Sequence, residues 1–223
     1  MKSISNFIFN ISSKKLAILV VILPLVLMIL HTTLSVTNQN IETSGNTIKN
    51  FISTLTSTIN YLFLIPVLII IIWLKGAVQS VGQKDLGIPF KWFRIAYLFF
   101  FFYLIFNIGL SSVPIIKEEL SYVFYALSEW VNSVGLLISY PIICHFTARA
   151  IYIKKDNDTP TITKTIGYTL LLIFLPIIIP FAHNYFSSIR SENRQLVLIY
   201  LIALGILTLL AISVFVLAIL GLG

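Results

Sequence analysis

Apolar residues in this sequence gather into long blocks that are separated by short polar stretches, and they do not alternate with polar residues. Several blocks approach the roughly 20 residues that a helix needs to cross about 30 Å of hydrocarbon. The pattern predicts an all-α polytopic transmembrane helical bundle of about six spans, folded as a single membrane domain over 1–223. The predicted spans are 16–36, 59–74, 95–116, 121–146, 165–186 and 196–222.

Two segments are predicted from helical spacing rather than from block length. The block 59–74 is short for a span. The stretch before it keeps one apolar helical face, formed by Ile48, Phe51, Ile52, Leu55 and Ile59. We therefore expect the second helix to begin with an amphipathic extension. The N-terminal stretch has a similar face, formed by Ile4, Phe7, Ile8 and Ile11. With lysines on both sides, this face predicts an interfacial helix over 3–13.

The distribution of lysine and arginine predicts the orientation of the chain. Six spans place both termini on one face of the membrane, and that face carries 11 of the 15 cations. The other four are Lys49, Lys117, Arg190 and Arg194. Because cytoplasmic loops are enriched in Lys and Arg, both termini are predicted to be cytoplasmic. The expected location is the inner (cytoplasmic) membrane of a bacterium.

Composition agrees with a membrane solvent. The 223 residues are 58% hydrophobic and 10% charged, whereas soluble domains average about 25% charged residues. The net charge of +7 is not gathered into a basic and aromatic surface, so nucleic acid is not an expected partner and membrane lipids are. The first block could also be a secretory signal, but the sequence after Leu30 lacks a small-x-small cleavage site. This favours its retention as an uncleaved span.

Polar residues recur at steps of three and four along the fourth span, so they share one side of a helix. They are Glu118, Tyr122, Tyr125, Glu129, Asn132 and Tyr140, and the apolar Leu136 occupies the position between the last two. Glu129 lies about two turns inside the span, where an ionised carboxylate is unfavourable unless it meets water or a partner. Two interpretations stay open. Glu129 binds a cation, a proton or a partner helix, or else Glu129 and Trp130 mark the membrane interface.

Two neighbouring spans have polar residues at a similar depth. Tyr103, Asn107 and Ser111 share a face of the third span, and Asn60 lies in the second. Together with the fourth span these residues predict a small outward-facing polar cavity. The alternative is a set of interhelical hydrogen bonds that hold the bundle together.

No set of residues with catalytic or metal-binding spacing is apparent. Histidine occurs at three separated positions, His31, His145 and His183, and Cys144 is a single cysteine. Phosphate-binding, dinucleotide-binding and nucleophile-elbow motifs are absent from the sequence. We therefore expect no enzyme activity, no metal and no cofactor. Five of the six spans contain proline, which either bends these helices or reflects the higher frequency of proline in membrane helices.

These features lead to two functional hypotheses. The first is a non-enzymatic membrane partner, either an accessory subunit or an immunity-type protein against a membrane-acting toxin, bound to another membrane protein or to itself. The alternative is a small transporter or channel, or the membrane subunit of one, with a polar path around Glu129. The binding or pore-lining candidates are Glu129, Asn132, Tyr125, Tyr122, Glu118, Asn107 and Asn60. A lipid-modifying enzyme ranks third.

Overall fold

The computed structural model describes residues 8–40, 46–112, 118–174 and 178–219, and all the secondary structure in these ranges is helical. This confirms the all-α prediction. The helices are α1 (Ser13–Ala17), π1 (Ile18–Ile22), α2 (Leu23–Asn40), α3 (Asn46–Leu62), α4 (Leu64–Gln79), α5 (Phe90–Ser112), α6 (Glu118–Ser133), π2 (Val134–Ser139), α7 (Tyr140–Asp156), α8 (Ile162–Phe174), α9 (Ile179–His183) and α10 (Asn193–Ile219). π1 and π2 are wider helical turns, each continuous with the α-helices before and after it.

Five helical stretches among the described residues are long and apolar enough to cross a membrane. They are Ser13–Thr37, Ile48–Gln79, Phe90–Ile108, Tyr125–Asp156 and Asn193–Ser213. Such lengths and compositions are those of an integral membrane protein. The second helix begins before residue 59, as predicted, because α3 precedes α4. Of the apolar face predicted for this extension, Ile52 and Ile59 are buried, whereas Ile48, Phe51 and Leu55 are exposed.

The region predicted as the fifth span, 165–186, is described as two short helices. α8 has 13 residues and α9 has five. At 1.5 Å per residue α8 is about 20 Å long, which is less than the hydrocarbon thickness. Neither helix alone can cross the membrane.

Three prolines coincide with the irregular turns of the long helices. Proline removes an N–H and its ring clashes with the carbonyl four residues earlier. Those carbonyls belong to Val20, Leu62 and Leu137, which precede Pro24, Pro66 and Pro141. Val20 lies in π1 and Leu137 in π2, while Leu62 is the last residue of α3. The helical hydrogen bonding therefore changes locally before each of these prolines.

The chain forms two compact units. The first comprises Met1–Ile72 with Ile179–Gly223, and the second comprises Trp73–Ile178. In the first unit, α1 and π1 pack on the beginning of α10 and on α9, and α2 pairs with α3. The core shared by these elements consists of Ala17, Leu196 and Ile199, with Ile22, Phe181 and Tyr200 packed against it.

In the second unit, α5 runs antiparallel to π2 and α7, and α7 packs along α8. Ring contacts fix this register. Phe93 meets Phe146 with ring centroids 5.5 Å apart, and Phe100 stacks on Tyr140 at 5.4 Å. The Tyr103 side chain packs directly on Gly135, since an added Cβ would lie 2.6 Å from Tyr103 Cγ.

The turn after α7 is shorter than the sequence suggested. The fourth span was predicted to end at 146, whereas α7 continues as helix to Asp156 and its residues from Thr147 to Ile151 are buried. The helix ends at Asn157, whose left-handed conformation (φ 50°) stops it. Packing against α8 and the loop before α5 explains the longer helix.

Candidate functional site

The polar side of the fourth predicted span contacts α5 through a pair of asparagines. The Asn107 side-chain amide donates to Asn132 Oδ1 at 2.9 Å and to the Tyr103 carbonyl at 2.9 Å. Asn132 Nδ2 lies 3.5 Å from Ser128 Oγ on its own helix. Two of the predicted site residues are thus joined by a hydrogen bond of the kind that links membrane helices.

The second half of α6 carries three exposed side chains, Tyr125, Glu129 and Trp130, which we call the α6 patch. Tyr125 is 64% exposed and Trp130 is 59% exposed, and Glu129 is also exposed. The Tyr125 and Glu129 side chains interact with each other one helical turn apart. The Trp130 ring meets Phe99 edge-on, with centroids 5.9 Å apart. The patch therefore presents a carboxylate between two aromatic rings.

The remaining predicted site residues lie elsewhere or outside the described structure. Glu118 begins α6 and Tyr122 follows one turn later, but their side chains are not among those described. Asn60 lies near the end of α3, in the first compact unit, and is exposed. The cavity predicted between spans two, three and four stays a prediction.

A buried arginine in the second unit was not recognised in the sequence. Arg149, 4% exposed, lies on α7 and donates from Nε to the Leu86 carbonyl at 2.6 Å. Its Nη2 donates to the Pro160 carbonyl, also at 2.6 Å. One guanidinium therefore joins the loop before α5 to the loop after α7. The spacing of His145 and Arg149, four residues apart in an apolar helix, was the available signal.

His145 extends this network to α8. Thr169 Oγ1 donates to the Thr165 carbonyl at 3.0 Å, so its oxygen is free to accept from His145 Nδ1 at 3.1 Å. His145 Nε2 is then an acceptor for Arg149 Nη1 at 3.4 Å. This arrangement assigns the neutral Nδ1–H tautomer to His145. The histidine thus links Arg149 on α7 to Thr169 on α8.

A cavity of about 600 Å³ opens beside His145, and its lining is mainly apolar. The lining includes Pro89, Trp92, Ile142 and Phe146, while His145 and Thr169 supply the polar atoms. Those polar atoms already bond to each other. The cavity therefore provides an apolar surface rather than a set of reactive groups.

In the first unit, the N-terminal residues contact the segment between α9 and α10. His183 is buried, and its Nε2 lies 2.8 Å from the Ile11 carbonyl. Ser13 Oγ donates to Asn184 Oδ1 at 2.7 Å, and the Lys14 N–H donates to Ser191 Oγ at 3.1 Å. The predicted interfacial helix 3–13 begins outside the described residues. In its described part Ile8 is buried, and the Phe9 ring stacks on the imidazole of His183 at 5.9 Å.

Among the residues that the structure describes, no group of three or more His, Cys, Asp or Glu side chains is placed to hold a metal ion. Cys144 is a buried free thiol on α7. The chain matches no protein family, and it has no match among curated proteins or solved structures.

Proposed function

We propose that the chain is a non-enzymatic integral membrane protein that binds a partner, as an accessory subunit or as an immunity-type protein against a membrane-acting toxin. The observation that carries this proposal is the α6 patch, where two aromatic rings and a carboxylate are exposed together. Tyrosine and tryptophan are enriched among the residues that dominate binding energy at protein interfaces. A complementary membrane protein would bury this surface.

The alternative function, a small transporter or channel, requires Glu129 to line a polar path. Its exposure favours contact with another protein over a path enclosed within one chain. Flux through liposomes tests this alternative directly. A flux that the wild type supports and Glu129→Gln reduces would replace the partner proposal with the transport one.

Site-specific photo-crosslinking tests the partner proposal. A photoreactive amino acid that replaces Tyr125 is expected to form a discrete adduct with one membrane protein in native membranes. The matched control is Leu204, which is 60% exposed on α10. Trp130→Ala should abolish the adduct at Tyr125. Equal adducts at both positions, or none at Tyr125, would contradict a partner at the α6 patch.

We further propose five crossings, with a cytoplasmic N-terminus and the C-terminus on the opposite face. The six-span prediction puts Lys14 and Ser191 on opposite faces of the membrane, yet the backbone N–H of Lys14 donates to the Ser191 hydroxyl. The contacts of Ile11 with His183 and of Ser13 with Asn184 agree with a shared face. The chain must then cross an even number of times between these segments.

Four of the five long helices lie between Lys14 and Ser191, which already gives an even number. The segment 162–183 would accordingly enter the membrane and return to the same face. Re-entrant backbone needs partners inside the protein for its freed polar groups. One such partner is present, since the Tyr140 hydroxyl donates to the Leu172 carbonyl in the last turn of α8 at 2.9 Å.

The charge distribution supports this topology independently. A re-entrant 162–183 moves Arg190 and Arg194 to the cytoplasmic face and raises its share of the cations from 11 to 13 of 15. Lys49 and Lys117 are the two that stay on the opposite face. The asymmetry expected of a membrane protein is therefore stronger with five crossings than with six.

Cysteine labelling distinguishes the two topologies. In a Cys144→Ala background, Ser188→Cys and Lys49→Cys introduce thiols at exposed positions. With five crossings, an impermeant maleimide labels Lys49→Cys on intact cells and Ser188→Cys only after permeabilisation, and a C-terminal tag is accessible from outside. With six crossings, Ser188→Cys is labelled on intact cells and the tag is not accessible.

A further inference from the structure

A small polar cavity lies between the end of α4 and the beginning of α5 in the second unit. Its volume is about 170 Å³. Lys75, Gln79 and Arg94 supply its polar groups, and the rings of Phe90, Phe93 and Tyr97 form much of its wall. No carboxylate belongs to this lining, so the cavity is positively charged.

The cavity has a preformed geometry. Phe93 packs against Phe90 at 5.3 Å and against Tyr97 at 5.9 Å between ring centroids, which fixes the aromatic wall. The Lys75 ammonium lies 4.7 Å from the centroid of the Tyr97 ring, within the range of a cation–π interaction. The ring thus holds one charge of the cavity in place before any ligand arrives.

The groups present suit a phosphate. A guanidinium presents several N–H donors in a planar fork that matches phosphate oxygens, an ammonium adds a compact charge, and the Gln79 amide adds neutral donors. Arg94 is exposed at the cavity and makes no ion pair with a described residue. Its donors are available to an anion.

The surroundings are those of a membrane interface. Trp92, 53% exposed, lies next to the cavity residues on α5, and the Lys91 ammonium lies 5.5 Å from its ring. Tryptophan and lysine are typical of the headgroup region. Further along α5, Leu98 is 61% exposed and offers an apolar surface.

We propose that the cavity formed by Lys75, Gln79 and Arg94 binds the phosphate of an anionic phospholipid headgroup. The acyl chains then lie along the exposed apolar face of α5, beginning at Leu98. The proposed topology enters only in assigning the lipid to the cytoplasmic leaflet, where anionic lipids attract basic residues close to the membrane surface. Lipid binding itself does not depend on the number of crossings.

Native mass spectrometry of the purified full-length protein in detergent tests the proposal. Phosphatidylglycerol is titrated against phosphatidylcholine of the same chains, and bound lipids are counted. The wild type is expected to retain one phosphatidylglycerol that phosphatidylcholine does not replace. Lys75→Gln/Arg94→Gln should weaken this binding at least about tenfold, as expected from the loss of two interfacial cations.

The matched control is Lys14→Gln/Arg190→Gln, which removes the same charge at exposed positions of the other unit. It should retain the lipid. Equal losses in both double variants, or no preference for phosphatidylglycerol, would overturn the proposal. So would displacement of the lipid by millimolar inorganic phosphate, since the site would then bind a free anion. If the double variant is not monodisperse, Arg94→Gln alone should still weaken binding.

Discussion

Arg149 shows how a charged residue is accommodated within an apolar helix. Its partners are the carbonyls of Leu86 and Pro160 rather than a carboxylate. Hydrogen bonds from a charged donor to a neutral acceptor are stronger than neutral ones. Gly87 adopts a positive φ of 66° next to this group, and an added Cβ would lie 3.0 Å from Arg149 Nη2. The loop is therefore shaped to receive the guanidinium.

Replacing this arginine is expected to destabilise the protein. Arg149→Gln leaves buried carbonyls without donors, each at about 1 to 3 kcal/mol, so the thermal midpoint in detergent should fall by roughly 5 to 10 °C. Arg190→Gln, at an exposed position, is the control and should leave the midpoint unchanged. Size-exclusion chromatography after heating measures both. An unchanged midpoint for Arg149→Gln would show that the hydrogen bonds of Arg149 to Leu86 and Pro160 contribute little to stability.

The turn after α7 is expected to lose stability at acidic pH. The Lys164 ammonium, 2.6 Å from Asp158, and the Thr159 N–H hold the pKa of the Asp158 carboxyl below its usual range. The ionised form is therefore the one that stabilises the fold. Its contribution is present above the unfolded pKa of about 4 and is lost as the pH falls through the folded value.

Amide hydrogen exchange of 157–161, corrected for intrinsic rates, measures this dependence. Protection should be greater at pH 7 than at pH 3. At both pH values, Asp158→Asn should be protected only as weakly as the wild type is at pH 3. If the wild type is equally protected at both, the Asp158–Lys164 pair does not order the turn.

At the scale of elements, the sequence predicted the helices better than it predicted their ends and their contacts. Hydropathy located the long helices because lipid selects for long apolar blocks. The face of Asn107 and Asn132 was predicted from helical spacing, and the structure pairs these residues. Arg149 lies beyond the predicted end of the fourth span at 146. Its partners are backbone carbonyls of distant loops, which leave no pattern in the sequence.

Close packing of α5 against π2 gives a prediction with opposite signs at two glycines. Gly135→Ala would force Tyr103 to move and should destabilise the protein by about 1 to 3 kcal/mol. A Cβ added at Gly167 on α8 would meet nothing within 4 Å. Gly167→Ala should therefore stabilise the protein by up to about 1 kcal/mol, because alanine has a higher helix propensity than glycine. Thermal midpoints in detergent distinguish the two. Shifts in the same direction would contradict the close approach at Gly135.

At the scale of the whole molecule, hydropathy and tertiary contacts carry different information about topology. The block 165–186 has the composition and length of a span, but its described helices are α8 and α9, each too short to cross. Contacts such as that of Ser13 with Asn184 join residues 171 positions apart. Contacts of this kind restrict the possible topologies, and no local pattern in the sequence encodes them.

Crosslinking can measure how close Ser13 and Asn184 lie in the first unit. In the Cys144→Ala background, Ser13→Cys with Asn184→Cys should form an intramolecular disulfide under mild oxidation, since the native side-chain oxygens are 2.7 Å apart. Ser13→Cys with Lys49→Cys is the control and should not. A change of mobility on non-reducing gels reports the bond. Efficient bonding in the control pair alone would favour a different arrangement of the N-terminal segment.

The contact of Ile11 with His183 also bears on the order of assembly during synthesis. These residues are separated by 172 positions, so at about 5 to 20 residues per second the ribosome needs roughly 10 to 35 s to deliver the second after the first. During that interval the first helix is anchored in the bilayer without its final neighbours. The first unit closes only when translation reaches α10, so that α1 waits for partners that are synthesised much later.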